Sequence, residues 1–262
     1  RKNPDRSTTT LAFRQPRLIG GTIGMAAALE DRSDGQLAAG TIGKSFFNLG
    51  AKSAWSITGD TRRERILRFR DGIEQATDTL QRRYVLGRAE VARALRTPSL
   101  GYVRAGVVAQ LRRDDFTTQA TYDNIGITER SVTGAVGGWI EARKGRYVKL
   151  QGYNSLSRDE DVDLSTVVRA SLLLAPSVFG YEKSGIAPAI AGRTGHGSAR
   201  GFSLLEWNVG GMITSSGLDS ATAQVAATAA WIPSPKHLAL VHASGGVLRG
   251  LLPGSEFDLG LG

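Results

Sequence analysis

The chain has 262 residues, a formal charge of +9 and no cysteine, which excludes disulfides, thiolate catalysis and Cys-bound zinc. Hydrophobic residues at 41% and charged residues at 22% exclude a chain disordered by composition, and 33 glycines point to many turns and closely approaching strands. Lys and Arg are spread along the chain apart from a small cluster at Arg62–Arg70, so no nucleic-acid partner is expected.

Taken in order, the chain alternates polar and apolar residues far more than it repeats them every three or four. Candidate strands lie near 8–14, 21–30, 36–47, 51–59 and 64–70. The stretch AAGTIGKS at 38–45 falls inside the third of these. It fits the loose phosphate-loop pattern, a small residue, four of any kind, then Gly-Lys-Ser. A phosphate loop follows a buried strand and opens a helix. Here the charged turn DRSDGQ precedes it, and Asn48 and Gly50 would stop a helix after about one turn. It reads as mid-strand, and GGTIG at 20–24 carries no more weight.

Residues 73–96 allow two readings. Leu80, Tyr84, Val91 and Leu95 have near-helical spacing among good helix formers. As a strand, Val85, Gly87, Ala89, Val91 and Leu95 share one face, with Arg93 as a misfit.

The next strands are clearer. Between 102 and 112, Val103, Ala105, Val107, Ala109 and Leu111 oppose Tyr102, Arg104, Gly106, Val108, Gln110 and Arg112. Further candidates lie near 132–142, 164–174, 186–193, 202–213, 222–231 and 238–248. Leu172 and Arg169 fall on opposite faces of the 164–174 candidate. NLGAK at 48–52, RTPSLG at 96–101, TSSGLDS at 214–220 and IPSPKH at 232–237 read as turns. About a dozen strands in series predict an antiparallel meander.

Chemistry-bearing patterns are sparse. His196, His237 and His242 form no zinc-type pair, and no Gly-x-Ser-x-Gly elbow occurs. The acidic run at 158–163, RDEDVD, lacks the glycine and distal glutamate of a calcium loop and reads as a solvated turn. Asp114 and Asp115, beside Arg112 and Arg113, read as a charge cluster at a loop end. No catalytic, cofactor or metal residue is assigned, and no enzyme is expected.

The segment from Phe13 to Asp60, with Pro16, Leu18, Gly20, Gly21, Phe46, Phe47 and Trp55, resembles the early strands of the bacterial surface antigen superfamily. This is the BamA-like group of outer-membrane assembly factors and two-partner-secretion transporters. Residues 146–165 and the strand rhythm to the end are also similar, less specifically. The Arg-Gly-aromatic motif of that family is not matched, since LRGLL at 248–252 lacks the aromatic residue.

The resemblance implies an all-β, antiparallel transmembrane β-barrel meander over residues 1–262, an incomplete barrel truncated at both ends. It implies a bacterial outer-membrane location, and insertion or translocation of other proteins as the function. The implied partners are the lipid bilayer, anionic lipid headgroups, and unfolded outer-membrane or secreted client proteins. No run of about 20 apolar residues forms a membrane helix, but strands can span once every backbone group is paired. On this reading Val103, Ala105, Val107, Ala109, Leu111 and Leu172 face lipid. Arg104, Gln110, Arg112, Arg169 and Glu206 then line a wet lumen, and Trp231 joins an interfacial girdle. The alternative is a soluble β-rich barrel or sandwich that binds an apolar ligand.

Overall fold

The computed structural model describes residues 2–3, 6–66, 69–70, 73–74, 80–118, 131–151, 159–198, 200–234 and 237–250. In chain order the strands are β1 (Lys2–Asn3), β2 (Arg6–Ile19), β3 (Ile23–Arg32), β4 (Gly35–Lys44), β5 (Ser53–Ile66), β6 (Phe69–Arg70), β7 (Ile73–Glu74), β8 (Leu80–Arg96) and β9 (Gly101–Thr118). There follow β10 (Ser131–Lys144), β11 (Tyr147–Gln151), β12 (Asp159–Asp163), β13 (Thr166–Ala175), β14 (Gly185–Ser198), β15 (Gly201–Thr214), β16 (Gly217–Ser234) and β17 (His237–Arg249). A single 3-10 turn, Ser177–Phe179, is the only helical element among the described residues.

One antiparallel sheet holds 13 of these strands, in the order β1-β2-β3-β4-β5-β8-β9-β10-β13-β14-β15-β16-β17. Its first member is a two-residue stub, and the other twelve form the expected meander. Each long strand pairs with its neighbours along the chain. Among the described residues β1 and β17 remain its edges, so the sheet is open, as an incomplete barrel requires.

Residues 80–96 settle as strand. β8 pairs residue by residue with β5 on one side and β9 on the other, from Ile66↔Leu80 to Ser53↔Arg93 and from Leu80↔Thr118 onward. Two full ladders outweigh the weak helical preference of Ala, Leu, Arg and Gln. Ile73–Glu74 is also extended, and 75–79 lie outside the described residues.

Several boundaries differ from the sequence reading. Candidates 51–59 and 64–70 largely merge, because β5 continues to Ile66. The 214–220 turn shrinks to two residues between β15 and β16. β16 runs through Pro233 into the expected 232–237 turn, with a register shift between Trp231 and Ser234. Pro16 lies in a similar shift in β2, between Gln15 and Ile19. Proline has no N–H for the ladder, so a strand tolerates it where pairing is interrupted. Gly20 and Gly21 turn the chain into β3 at φ of 57° and 68°, a conformation that glycine adopts without a Cβ clash.

The sheet is strongly curved. Arg169 on β13 reaches Glu90 on β8 at 3.4 Å, past the intervening β9 and β10. The face carrying these side chains is concave.

Candidate functional site: an apolar convex face and a charged concave face

Strand register carries one facing rule through the whole sheet. On β9 the outward positions are Val107 and Leu111, exposed at 64% and 57%, while Arg104, Val108 and Asp114 on the other face are 7%, 5% and 2% exposed. The ladder extends that outward set to Ile57 on β5, Val85 and Val91 on β8, and Val136 and Ile140 on β10. It continues with Leu172 on β13, Ile186 and Ile190 on β14, Val209 on β15, Val225 on β16 and Val241 on β17. At the other side Leu11, Phe13, Met25 and Leu29 complete it. All are exposed, and together they make the convex face apolar from edge to edge.

That apolar band has limits. Along β8 it runs from Val85 to Val91 between outward Arg83 and Arg93, and along β9 from Val103 to Leu111 before Arg113. A tilted strand crosses the hydrocarbon core in about 9–11 residues. β8 and β9, at 17 and 18 residues, therefore extend past the band at the end bearing Arg83 and Arg113. Trp231, 60% exposed and facing outward, lies near the opposite end. Trp55 faces the same way at that end, opposite Lys44.

The concave face is polar and laced with ion pairs. Arg169 stacks over the Trp139 ring at 3.9 Å and contacts both Glu90 and Glu141. Arg88 binds Glu90 at 2.8 Å, and the Tyr102 hydroxyl donates to Glu141 at 2.7 Å. Arg104 lies between the rings of Phe46 and Tyr102, at 3.9 and 3.6 Å, and donates to the Asn48 carbonyl. Toward the arginine-rich end, Arg82 grips Asp114 with two 2.9 Å bonds and Glu64 with one of 3.1 Å. Arg62, Arg82 and Arg112 surround the Tyr84 ring at 5.0–5.6 Å. Two cavities open on this face. One of about 640 Å³ is lined by Arg14, Phe46, Glu90, Arg104, Trp139 and Arg169. The other, about 920 Å³, is lined by Tyr102, Arg143, Arg193, Glu206, Asn208 and Gln224.

One mouth of the concave face is narrowed by the β11–β12 hairpin, which joins β10 to β13. Leu150 and Leu164 pack on Phe202, Ala230 and Ile232 of β15 and β16, with Val148, Val162 and Leu204 around them. The wall is cut back to admit it: a Cβ on Gly195 would lie 2.7 Å from Leu164 Cβ, and one on Gly197 2.5 Å from Leu164 Cδ1. Asp163 accepts from Arg193 at 2.6 Å and Arg143 at 2.8 Å, and the fully buried Ser165 hydroxyl donates to it as well. Partial burial pushes the Asp163 carboxyl up. The Ser165 hydroxyl and N–H and the two guanidiniums outweigh that and hold it below the ordinary carboxylate range.

The structure brings together Arg104 and Arg169 on the concave face, with Gln110, Arg112 and Glu206 on the same side by register. AAGTIGKS is strand through Lys44, as its alternation indicates. Phe46 and Phe47 lie beyond the end of β4: Phe46 turns toward Arg104 and Phe47 is 63% exposed. Asp114 and Asp115 are not at a loop end. They lie within β9 on opposite faces, Asp114 bound to Arg82 and Arg112, Asp115 to Arg113. The acidic run is not a solvated turn either: Asp159–Asp163 is a strand paired with Tyr147–Gln151, and residue 158 lies outside the described residues. His242 lies on the concave side, its Nδ1 2.9 Å from Thr228 Oγ1.

No known family, curated protein or solved structure matches the chain.

Proposed function

We propose that this chain is the membrane-spanning sheet of a bacterial outer-membrane β-barrel of the BamA-like kind, acting in insertion or translocation of client proteins. The observation that carries the membrane part is the inverted distribution of polarity. Every long strand presents apolar side chains on the convex, exposed face, while paired charges occupy the concave one. A soluble sheet buries its apolar face against a second layer. Here no second layer covers the convex face among the described residues, and hydrocarbon is the solvent such a surface fits. The client-handling part rests on the resemblance of residues 13–60 and on two cavities, of about 640 and 920 Å³, in a curved polar face.

The test is flotation of the refolded chain with neutral phosphatidylcholine vesicles, followed by carbonate wash. Stable co-flotation with an antiparallel β signature supports the reading. A monodisperse monomer in plain buffer that stays out of the vesicles contradicts it, and a soluble β-rich carrier of an apolar ligand takes its place.

A further inference from the structure

Among the described residues, the convex face has one place where like charges oppose each other across strands. Arg63 on β5 and Arg83 on β8 are direct cross-strand partners, both exposed and both outward. Side chains so placed have Cβ atoms about 4.5–5.5 Å apart, and like charges there repel. Arg83 also stands opposite Asp115 on β9 by register, but Asp115 binds Arg113, and among the described residues neither Arg63 nor Arg83 makes an ion pair. Arg65, also exposed and outward, lies one step further along β5 and has none either. The outward carboxylates of this rim are engaged elsewhere: Asp31 with the Gln36 amide at 3.4 Å, Asp115 with Arg113 at 2.7 Å. Arg63, Arg65, Arg83 and Arg113 thus gather at the upper edge of the apolar band, with Asp31 and Asp115 among them.

Beside Arg63 lies a groove of about 500 Å³ on the convex face. Glu30, Asp31, Gln36 and Arg63 supply its polar lining, and Leu11, Leu29 and Ala38 its apolar lining. One register step deeper, Gly40, Gly59 and Gly87 stand directly opposite one another. A Cβ at Gly59 or Gly87 would meet nothing within 4 Å, so the groove continues into a shallow trough free of side chains. The surface is amphipathic along the strand direction: cations at the rim, then an apolar channel below.

We infer that this surface holds an anionic phospholipid, one whose headgroup leaves the phosphate charge uncompensated. The headgroup phosphate sits between Arg63 and Arg83, and the acyl chain runs down past Ala38, Thr61 and Val85 over the glycine trough. Guanidinium forks match phosphate oxygens in bidentate geometry, and a phosphate between two of them turns mutual repulsion into shared attraction. The source is a lipid rather than a free anion because the cations are continuous with an apolar channel. The inference rests on the membrane reading above.

Native mass spectrometry of the chain in nonionic detergent tests it, with phosphatidylglycerol or phosphatidylcholine of the same acyl chains as probes. Phosphatidylglycerol is expected to be retained preferentially. Removing two rim cations in Arg63→Gln/Arg83→Gln should weaken that retention by about thirtyfold. The same retention in unmodified protein should fall as salt rises, which keeps the test independent of the variant's folding. Equal retention of the two lipids, retention insensitive to salt, or full displacement by millimolar inorganic phosphate would each overturn the assignment. Co-flotation with neutral vesicles separates the two levels: a chain that inserts but shows no lipid preference refutes only this inference, and one that does not insert refutes the membrane reading itself.

Discussion

Leu164 occupies the space that a side chain at Gly197 would fill: a Cβ built there lies 2.5 Å from Leu164 Cδ1 and 3.1 Å from Val148 Cγ1. The glycine is what lets the β11–β12 hairpin lie against the concave wall. Gly197→Val should therefore displace the hairpin while leaving the long ladders formed. A nitroxide placed at the exposed Lys149 should gain mobility in the variant, and circular dichroism should keep its β signal. Unchanged label mobility would show that the hairpin docks without that space.

The Asp163 carboxylate predicts how the same hairpin responds to acid. Its folded pKa is depressed. The stability it lends is therefore complete above the unfolded value of about 3.9 and is lost as pH falls through the lower folded value. Hydrogen exchange of residues 147–151 and 159–163 should accelerate in that acid window. Asp163→Asn, which keeps the shape and removes the charge, should abolish the acid-dependent step. A step of equal size in the variant would place the sensitivity elsewhere.

Asp114 is 2% exposed and holds Arg82 through two bonds, with Arg112 as a further donor. Asp114→Ala should destabilise the folded state toward the lower end of the roughly 3–5 kcal/mol typical of breaking a buried pair, because Arg82 keeps Glu64. Urea unfolding of detergent-solubilised protein measures it. A change below about 1 kcal/mol would mean that the pair is solvated and behaves as a surface bridge.

Much of this was legible from alternation alone. Tyr102 to Arg112 declares two faces, and the structure keeps that split, because a strand has only two sides and register fixes which one each residue takes. What alternation could not assign was strand length. Pro233 and Pro16 look like breaks, yet each is absorbed at a register shift inside a long strand. Residues 80–96 were ambiguous because Ala, Leu and Arg serve a helix as readily as an exposed strand, and only the two ladders decide. The inner ion pairs were out of reach, since Arg82 with Asp114 and Arg193 with Asp163 join residues distant in sequence. Gly195 and Gly197 carried a usable signal. Two glycines alternating on one face leave a gap that something must fill, here the hairpin.

The facing rule also predicts an asymmetry between neighbours on β9. Val107→Arg places a charge in the middle of the convex band and should cost about 2–4 kcal/mol of insertion stability at the midplane. Gln110→Arg adds a charge to the polar face and should change stability little. Comparison of urea midpoints in lipid vesicles separates them, and equal effects would argue that the band does not meet hydrocarbon.

The central claim is that the convex face meets lipid, and a cysteine scan of 102–112 in vesicles, read with a lipid-confined quencher of a thiol-attached fluorophore, tests it most directly. The chain has no native cysteine, so each label reports one position. The account predicts strong quenching at 103, 105, 107, 109 and 111, greatest near 107, and weak quenching at 102, 104, 106, 108, 110 and 112. Equal quenching at odd and even positions would contradict it.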